Sequence, residues 1–171
     1  MFDQSEASMP GHYAPTQTAF LLLDFHSLFV EKAGGTKGVS ALEVAVQLRK
    51  WAKTKNIHVI HCLLDINDVP FATCKGPAGI ASITQSMRDN GGEEPSTLLE
   101  NSHGEVTFTR KPGHVSAFKS PGFREYLEGK GIKSLVMTGL STSGCVLRTA
   151  VQGTDEEYVV TVISDGYMDW L

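Results

Sequence analysis

Three residues capable of covalent or proton-transfer chemistry stand just beyond short apolar runs. Asp24 closes residues 18–24 (TAFLLLD), Lys111 closes 105–111 (EVTFTRK), and Cys145 lies in STSGCVLRTA, directly after 133–139 (KSLVMTG). Taken singly, each has a plain structural explanation. An acid after a strand caps a turn, a lysine at a strand end faces water, and a lone cysteine fills a small space in a core. Together they form a workable chemical set. A cysteine at a helix start meets the positive end of the dipole and unpaired backbone N–H groups, which favour the thiolate and make Cys145 a candidate nucleophile. Asp24 can take its proton and later hand it to a leaving group, while the Lys111 ammonium stabilises the charged forms of both. Backbone N–H groups of residues 141–145 can face the oxygen of a tetrahedral intermediate.

The elements that must hold this trio follow from hydrophobic pattern. Residues 18–23 form a wholly apolar run, as expected of a strand covered on both faces. Further strands are expected over 57–64, 106–109, 134–138 and 159–163. Val39, Leu42, Val46 and Trp51 recur at near-helical spacing, with Ala41 and Ala45 between them, so 37–55 reads as an amphipathic helix. Shorter helices are expected near 80–88 and over 123–129 and 144–153. The alternation predicts an α/β fold with a mostly parallel central sheet, helices on both faces and right-handed crossovers. In such a sheet ligands bind beyond the carboxyl ends of the strands, where the trio falls. The connector 65–104, rich in Gly and Pro, is long for a compact domain unless it serves a pocket. Phe25, His26, Phe29 and Phe118 lie beside the trio in sequence and are expected to wall the substrate site.

Composition narrows the partners. With 171 residues the chain fits one domain, and its net charge of −4 has no single-sign block of the kind that tracks nucleic acid or anionic lipid. No apolar stretch approaches the roughly 18 residues of a membrane span, and the first fifteen residues lack a charged-then-apolar leader pattern. A cytoplasmic protein acting on a small molecule is the expectation. Cys62, Cys74 and Cys145 are odd in number and show no CxxC or Cys/His zinc spacing, so reduced thiols are expected, with no disulfide framework and no structural metal. His58, His61, His103 and His114 are scattered and read as structural.

The motifs LLLDFHSLF, RKPGHVSAF and TGLSTSGCVLRTA followed by YVVTVISDG resemble the isochorismatase-like cysteine hydrolase superfamily, which includes nicotinamidases and N-carbamoylsarcosine amidases. The most specific part is G-x-x-T-x-x-C-V-x-x-T-A with S-D-G beyond it, and the likeness runs over residues 18–166. It implies a three-layer α/β/α sandwich of Rossmann-like form, an Asp24–Lys111–Cys145 triad, and a cis peptide between Leu140 and Ser141 that turns the N–H groups of Ser141 and Cys145 toward one oxyanion. It also implies a homo-oligomer, for which Trp51, Phe71, Ile80 and Ile83 offer apolar surface. Metal-dependent nicotinamidases carry an Asp-x-His pair where this chain has Asp65-Ile66-Asn67, so no catalytic metal and no other cofactor is expected. Members that cleave the vinyl ether of isochorismate often lack the cysteine, so its presence favours covalent acyl chemistry on an amide or ester. A non-catalytic ligand- or partner-binding domain, a vinyl ether hydrolase and a thiol redox sensor are the alternatives. Residues 1–17 read as an N-terminal extension and 18–171 as the hydrolase domain. Relatives commonly continue with a terminal helix, which leaves a short member or a trimmed chain as the two readings of the end at Leu171.

Overall fold

In the computed structural model, which describes residues 4–168, five strands form one sheet. They are β1 (Thr18–Leu23), β2 (His58–Leu64), β3 (Val106–Arg110), β4 (Ser134–Leu140) and β5 (Val159–Met168). Their order is β3-β2-β1-β4-β5 and every neighbouring pair is parallel. The helices are α1 (Gly35–Thr54), α2 (Pro77–Asn90), α3 (Ser96–Leu99), α4 (Phe123–Gly129) and α5 (Leu147–Asp155).

The all-apolar sequence of β1 reflects burial on both sides. Ala19, Leu21 and Leu23 pack with Phe123 and Leu127 of α4, while Phe20 and Leu22 pack with Ala41, Ala45 and Ala52 of α1 and Leu98 of α3. Successive side chains of a strand point to opposite faces, so one apolar run serves two cores and fixes a three-layer sandwich.

Three helices return to the sheet by the same local device. After α1, α4 and α5 the chain passes through Asn56, Gly131 and Glu157, all at positive φ. The next residues, Ile57, Ile132 and Tyr158, donate their N–H back to Ala52, Leu127 and Gly153. A left-handed residue followed by an apolar one satisfies the last carbonyls of the helix and directs the chain straight into the next strand.

Behind the sheet edge, His61 bridges two carboxylates: Nδ1 lies 2.8 Å from Glu94 Oε1 and Nε2 lies 2.8 Å from Glu105 Oε2. Arg49, buried on α1, donates to Glu105 and to the Glu100 carbonyl, and Lys53 pairs with Glu105 at 2.8 Å. Burial alone disfavours the charged imidazole, but the two carboxylates outweigh it and raise the His61 pKa. Its role is thus structural.

Candidate active site

The strand order reverses direction between β1 and β4, and the crevice at their carboxyl ends is where ligands bind in open α/β sheets. Asp24 leaves β1 with φ of 57°, a left-handed conformation that Asp tolerates better than most residues. Cys145 follows β4. Both line a cavity of about 230 Å³ together with Arg110, Leu140, Ser141 and Gly144.

The turn before Cys145 is unlike a regular helix start. The Leu140–Ser141 peptide is cis. Residues Thr142–Val146 wind as one wide turn, with Gly144 at φ −93° and ψ −113°, before α5 begins at Leu147. A Cβ on Gly144 would meet Ser141 Oγ at 2.8 Å, so any other residue there would require the Ser141 hydroxyl to turn away. Cys145 is therefore inside a turn two residues ahead of the α-helix, not at its first position.

That placement changes the state of the thiol. Burial pushes the Cys145 pKa well above its ordinary range, the Asp24 carboxylate pushes it further, and Arg110 opposes them only in part. The sequence-based expectation of a thiolate at a helix N-terminus is corrected: the group rests as a thiol, with the Leu140 carbonyl 3.2 Å and the Ser141 carbonyl 3.8 Å from Sγ and the Asp24 carboxylate acting on it across the cavity.

Arg110, not Lys111, reaches Asp24. Its Nη1 donates to Oδ1 at 2.9 Å, its Nη2 to Oδ2 at 2.5 Å, and its Nε to the His114 carbonyl at 3.1 Å. The reason is strand parity. Val106, Phe108 and Arg110 face the core side of β3, whereas Thr107 and Thr109 are exposed. Lys111 falls in step with the threonines, and its half-exposed ammonium lies 3.5 Å from Asp68. Together the Arg110 and Asp24 side chains bridge two strand spacings, about 10 Å, from β3 across β2 to the end of β1. Burial weakens a charged guanidinium, but Asp24 more than offsets this and holds Arg110 further into its charged form.

Of the four expected wall residues, only Phe29 lines the cavity. Phe25 and Phe118 are buried in the two cores, where parity and packing take them away from the crevice. His26 is also buried. Its Nε2 accepts from the Leu64 N–H, so the proton sits on Nδ1, which donates to the Gly92 carbonyl at 2.5 Å. His26 thereby ties residues 91–94 to the end of β2. The apolar wall is instead supplied by Leu64, Ile80, Ile83, Val115 and Leu140. Among the described residues no group of three or more His, Cys, Asp or Glu side chains is arranged to hold a metal ion.

The Isochorismatase domain model matches residues 18–169. The chain belongs to the isochorismatase family. Solved structures of the same fold include a cysteine hydrolase from Pseudomonas syringae pv. phaseolicola (16% identity, TM-score 0.73, covering 92% of this chain and 75% of that one). They also include N-carbamoylsarcosine amidase from Thermoplasma acidophilum (18%, 0.67, 88% and 83%) and a nicotinamidase from Staphylococcus aureus (15%, 0.63, 91% and 85%). At these identities the likeness is one of fold. No curated protein sequence matches the chain.

Two features of this isochorismatase-family site escape a motif-based reading. The motif around RKPGHVSAF draws attention to lysine, yet the alternation of EVTFTRK already assigns Arg110 to the inward face. Ile80 and Ile83 sit in the irregular connector, and only their spacing within the α2 segment hints that they share a helix face.

Proposed function

We propose that the protein is a hydrolase cleaving a small amide, ester or related substrate through a covalent acyl intermediate on Cys145, with Asp24 as general base and acid. The observation that carries this reading is the Asp24 carboxylate and the Cys145 thiol lining one cavity, near enough for the carboxylate's charge to raise the thiol pKa. In the first half-reaction the thiol proton passes to Asp24 as sulfur bonds to the substrate carbonyl carbon, and the C=O electron pair moves to oxygen. Collapse breaks the carbon–leaving-group bond, and Asp24 returns the proton to the departing amine or alcohol. In the second, Asp24 takes a proton from water as it attacks the thioester. Expulsion of sulfur, reprotonated from Asp24, frees the acid.

Arg110 takes the electrostatic role that the sequence motif assigns to Lys111. Its permanent charge and bidentate grip hold the Asp24 carboxylate in one orientation. The N–H groups of Ser141 and Cys145 are the proposed oxyanion donors; both residues line the cavity. The protein is further proposed to be a cytoplasmic homo-oligomer. Its three cysteines are free, as a nucleophilic thiol requires, and Trp51 and Val39 leave apolar surface on α1 exposed.

A second reading, a small-ligand-binding domain without turnover, draws on the same burial that holds Cys145 protonated. Intact-mass measurement during exposure to a panel of small amides and activated esters separates the two. An acyl adduct on the wild type that is absent from Cys145→Ala supports the hydrolase; turnover that survives Cys145→Ala removes it.

A further inference from the structure

We propose that the site takes an uncharged amide or ester whose acyl group is an apolar chain, with Phe29 and Ile83 setting the accepted length. This inference rests on the acyl-transfer reading above and names its substrate class.

The electrostatic argument begins with Arg110. Among the described residues lining the cavity, it is the only lysine or arginine, and its Nη1, Nη2 and Nε donors are directed at Asp24 and the His114 carbonyl. The buried Asp24–Arg110 pair is neutral overall. Beside Cys145 a substrate carboxylate would meet an apolar wall and no lysine or arginine other than the committed Arg110, which costs far more than placing a methyl group there; Lys32 lies only on a second, adjoining space. The wall itself favours hydrocarbon, since Phe29, Leu64, Ile80, Ile83, Val115 and Leu140 face the space beside Cys145.

The length argument rests on a second cavity. A space of about 430 Å³, lined by Leu28, Phe29, Lys32, Ala33, Ile83 and Ser86, adjoins the first. Phe29 and Ile83 border both spaces. These two side chains therefore stand where a chain growing away from Cys145 would pass from the smaller cavity toward the larger. Phe29 is held in place by an edge-on contact with the buried His26 ring, 5.6 Å between centroids, so it forms a firm side of that passage. Ile83 projects from α2 and is half exposed. Trimming either side chain should open the larger space to the substrate.

The test uses binding to the Cys145→Ala protein, so it does not depend on turnover. Calorimetric titration with propionamide, butyramide, hexanamide and octanamide is compared with succinamate, an anionic near-isostere of the butyramide skeleton. Affinity is expected to rise about fourfold per added methylene up to a limiting length. Succinamate is expected to bind at least roughly tenfold more weakly than butyramide. Adding Ile83→Ala or Phe29→Ala should move the limit to longer chains, and an unchanged melting temperature for the half-exposed Ile83→Ala separates this effect from misfolding. Succinamate binding as tightly as butyramide, or a chain-length limit unmoved by both variants, overturns the proposal. Acyl adducts on wild-type Cys145 would leave the hydrolase reading standing in that case. Conversely, neutral-chain binding with neither adduct nor turnover in the wild type would remove the hydrolase reading and keep this selectivity.

Discussion

A one-residue step along β3 decides which cation serves Asp24. Arg110 is buried and grips the carboxylate with two donors; Lys111 faces the other way, toward Asp68. The variants should separate cleanly. Lys111→Ala is expected to leave activity near the wild-type level and stability within about 0.5 kcal/mol, since it removes only a surface pair. Arg110→Lys keeps the charge but loses the planar fork, so Asp24 is no longer oriented; kcat/KM should fall by roughly 10²-fold. Steady-state kinetics on an ester that acylates the wild type checks both. A large loss in Lys111→Ala with little in Arg110→Lys would restore the lysine to the site. That Cys145 and Asp24 come together at one end of the sheet is legible from their positions after apolar runs. The cation was legible only through period-2 alternation, which a short motif match easily overrides.

At the level of elements, the sheet positions the chemistry through one close approach. Gly139 of β4 lies opposite Leu23 of β1, and a Cβ there would come within 2.6 Å of Leu23 Cβ and 2.7 Å of its carbonyl oxygen. Neither atom belongs to a flexible side-chain end. Gly139→Ala must therefore spread β1 from β4 at the points where Asp24 and Cys145 emerge. A loss of about 1–3 kcal/mol is expected from overpacking, measured as a lower urea midpoint, with a drop in acylation rate larger than the stability change alone explains. A variant with normal stability and normal acylation would mean the strands have slack at this point. The strands themselves were readable: β1 matches its expected limits, and the others differ mainly at their ends. β5 runs on to Met168, past an irregularity in its pairing with β4 that no sequence pattern announces. The least readable segment was 65–104, because α2 presents Ile80 and Ile83 to a cavity rather than to the sheet, so its apolar positions do not trace a core-facing stripe.

Across the whole molecule, the buried charge network couples the sheet to the floor of the site and gives stability a defined dependence on pH. Glu94, held by His61, ends the segment 91–94, whose Gly91 and Glu93 carbonyls accept the N–H groups of Leu28 and Ser27 just beyond Asp24. His61 binds its proton more tightly folded than unfolded, so its contribution is complete below its unfolded pKa, about 6.5, and fades as pH rises through the higher folded value. Glu105 runs the other way. Although burial opposes its charge, Arg49, His61 and Lys53 hold its pKa down, so its contribution is complete above its ordinary value and fades as pH falls through the folded one. The buried thiols of Cys62 and Cys145, both raised, add stability that is lost as pH climbs beyond the ordinary thiol range. Stability should therefore peak between about pH 4.3 and 6.5, decline through neutrality, and fall again above about 8.5. Urea midpoints across this range test the profile, and His61→Gln identifies the neutral limb. That variant leaves Glu94 buried without its cation, so it should lose about 3 kcal/mol or more at low pH and show a flatter profile through neutrality. Parallel profiles for the two proteins through neutrality would mean that His61 does not titrate with folding, and the bridge between Glu94 and Glu105 would then be a neutral hydrogen-bonded one.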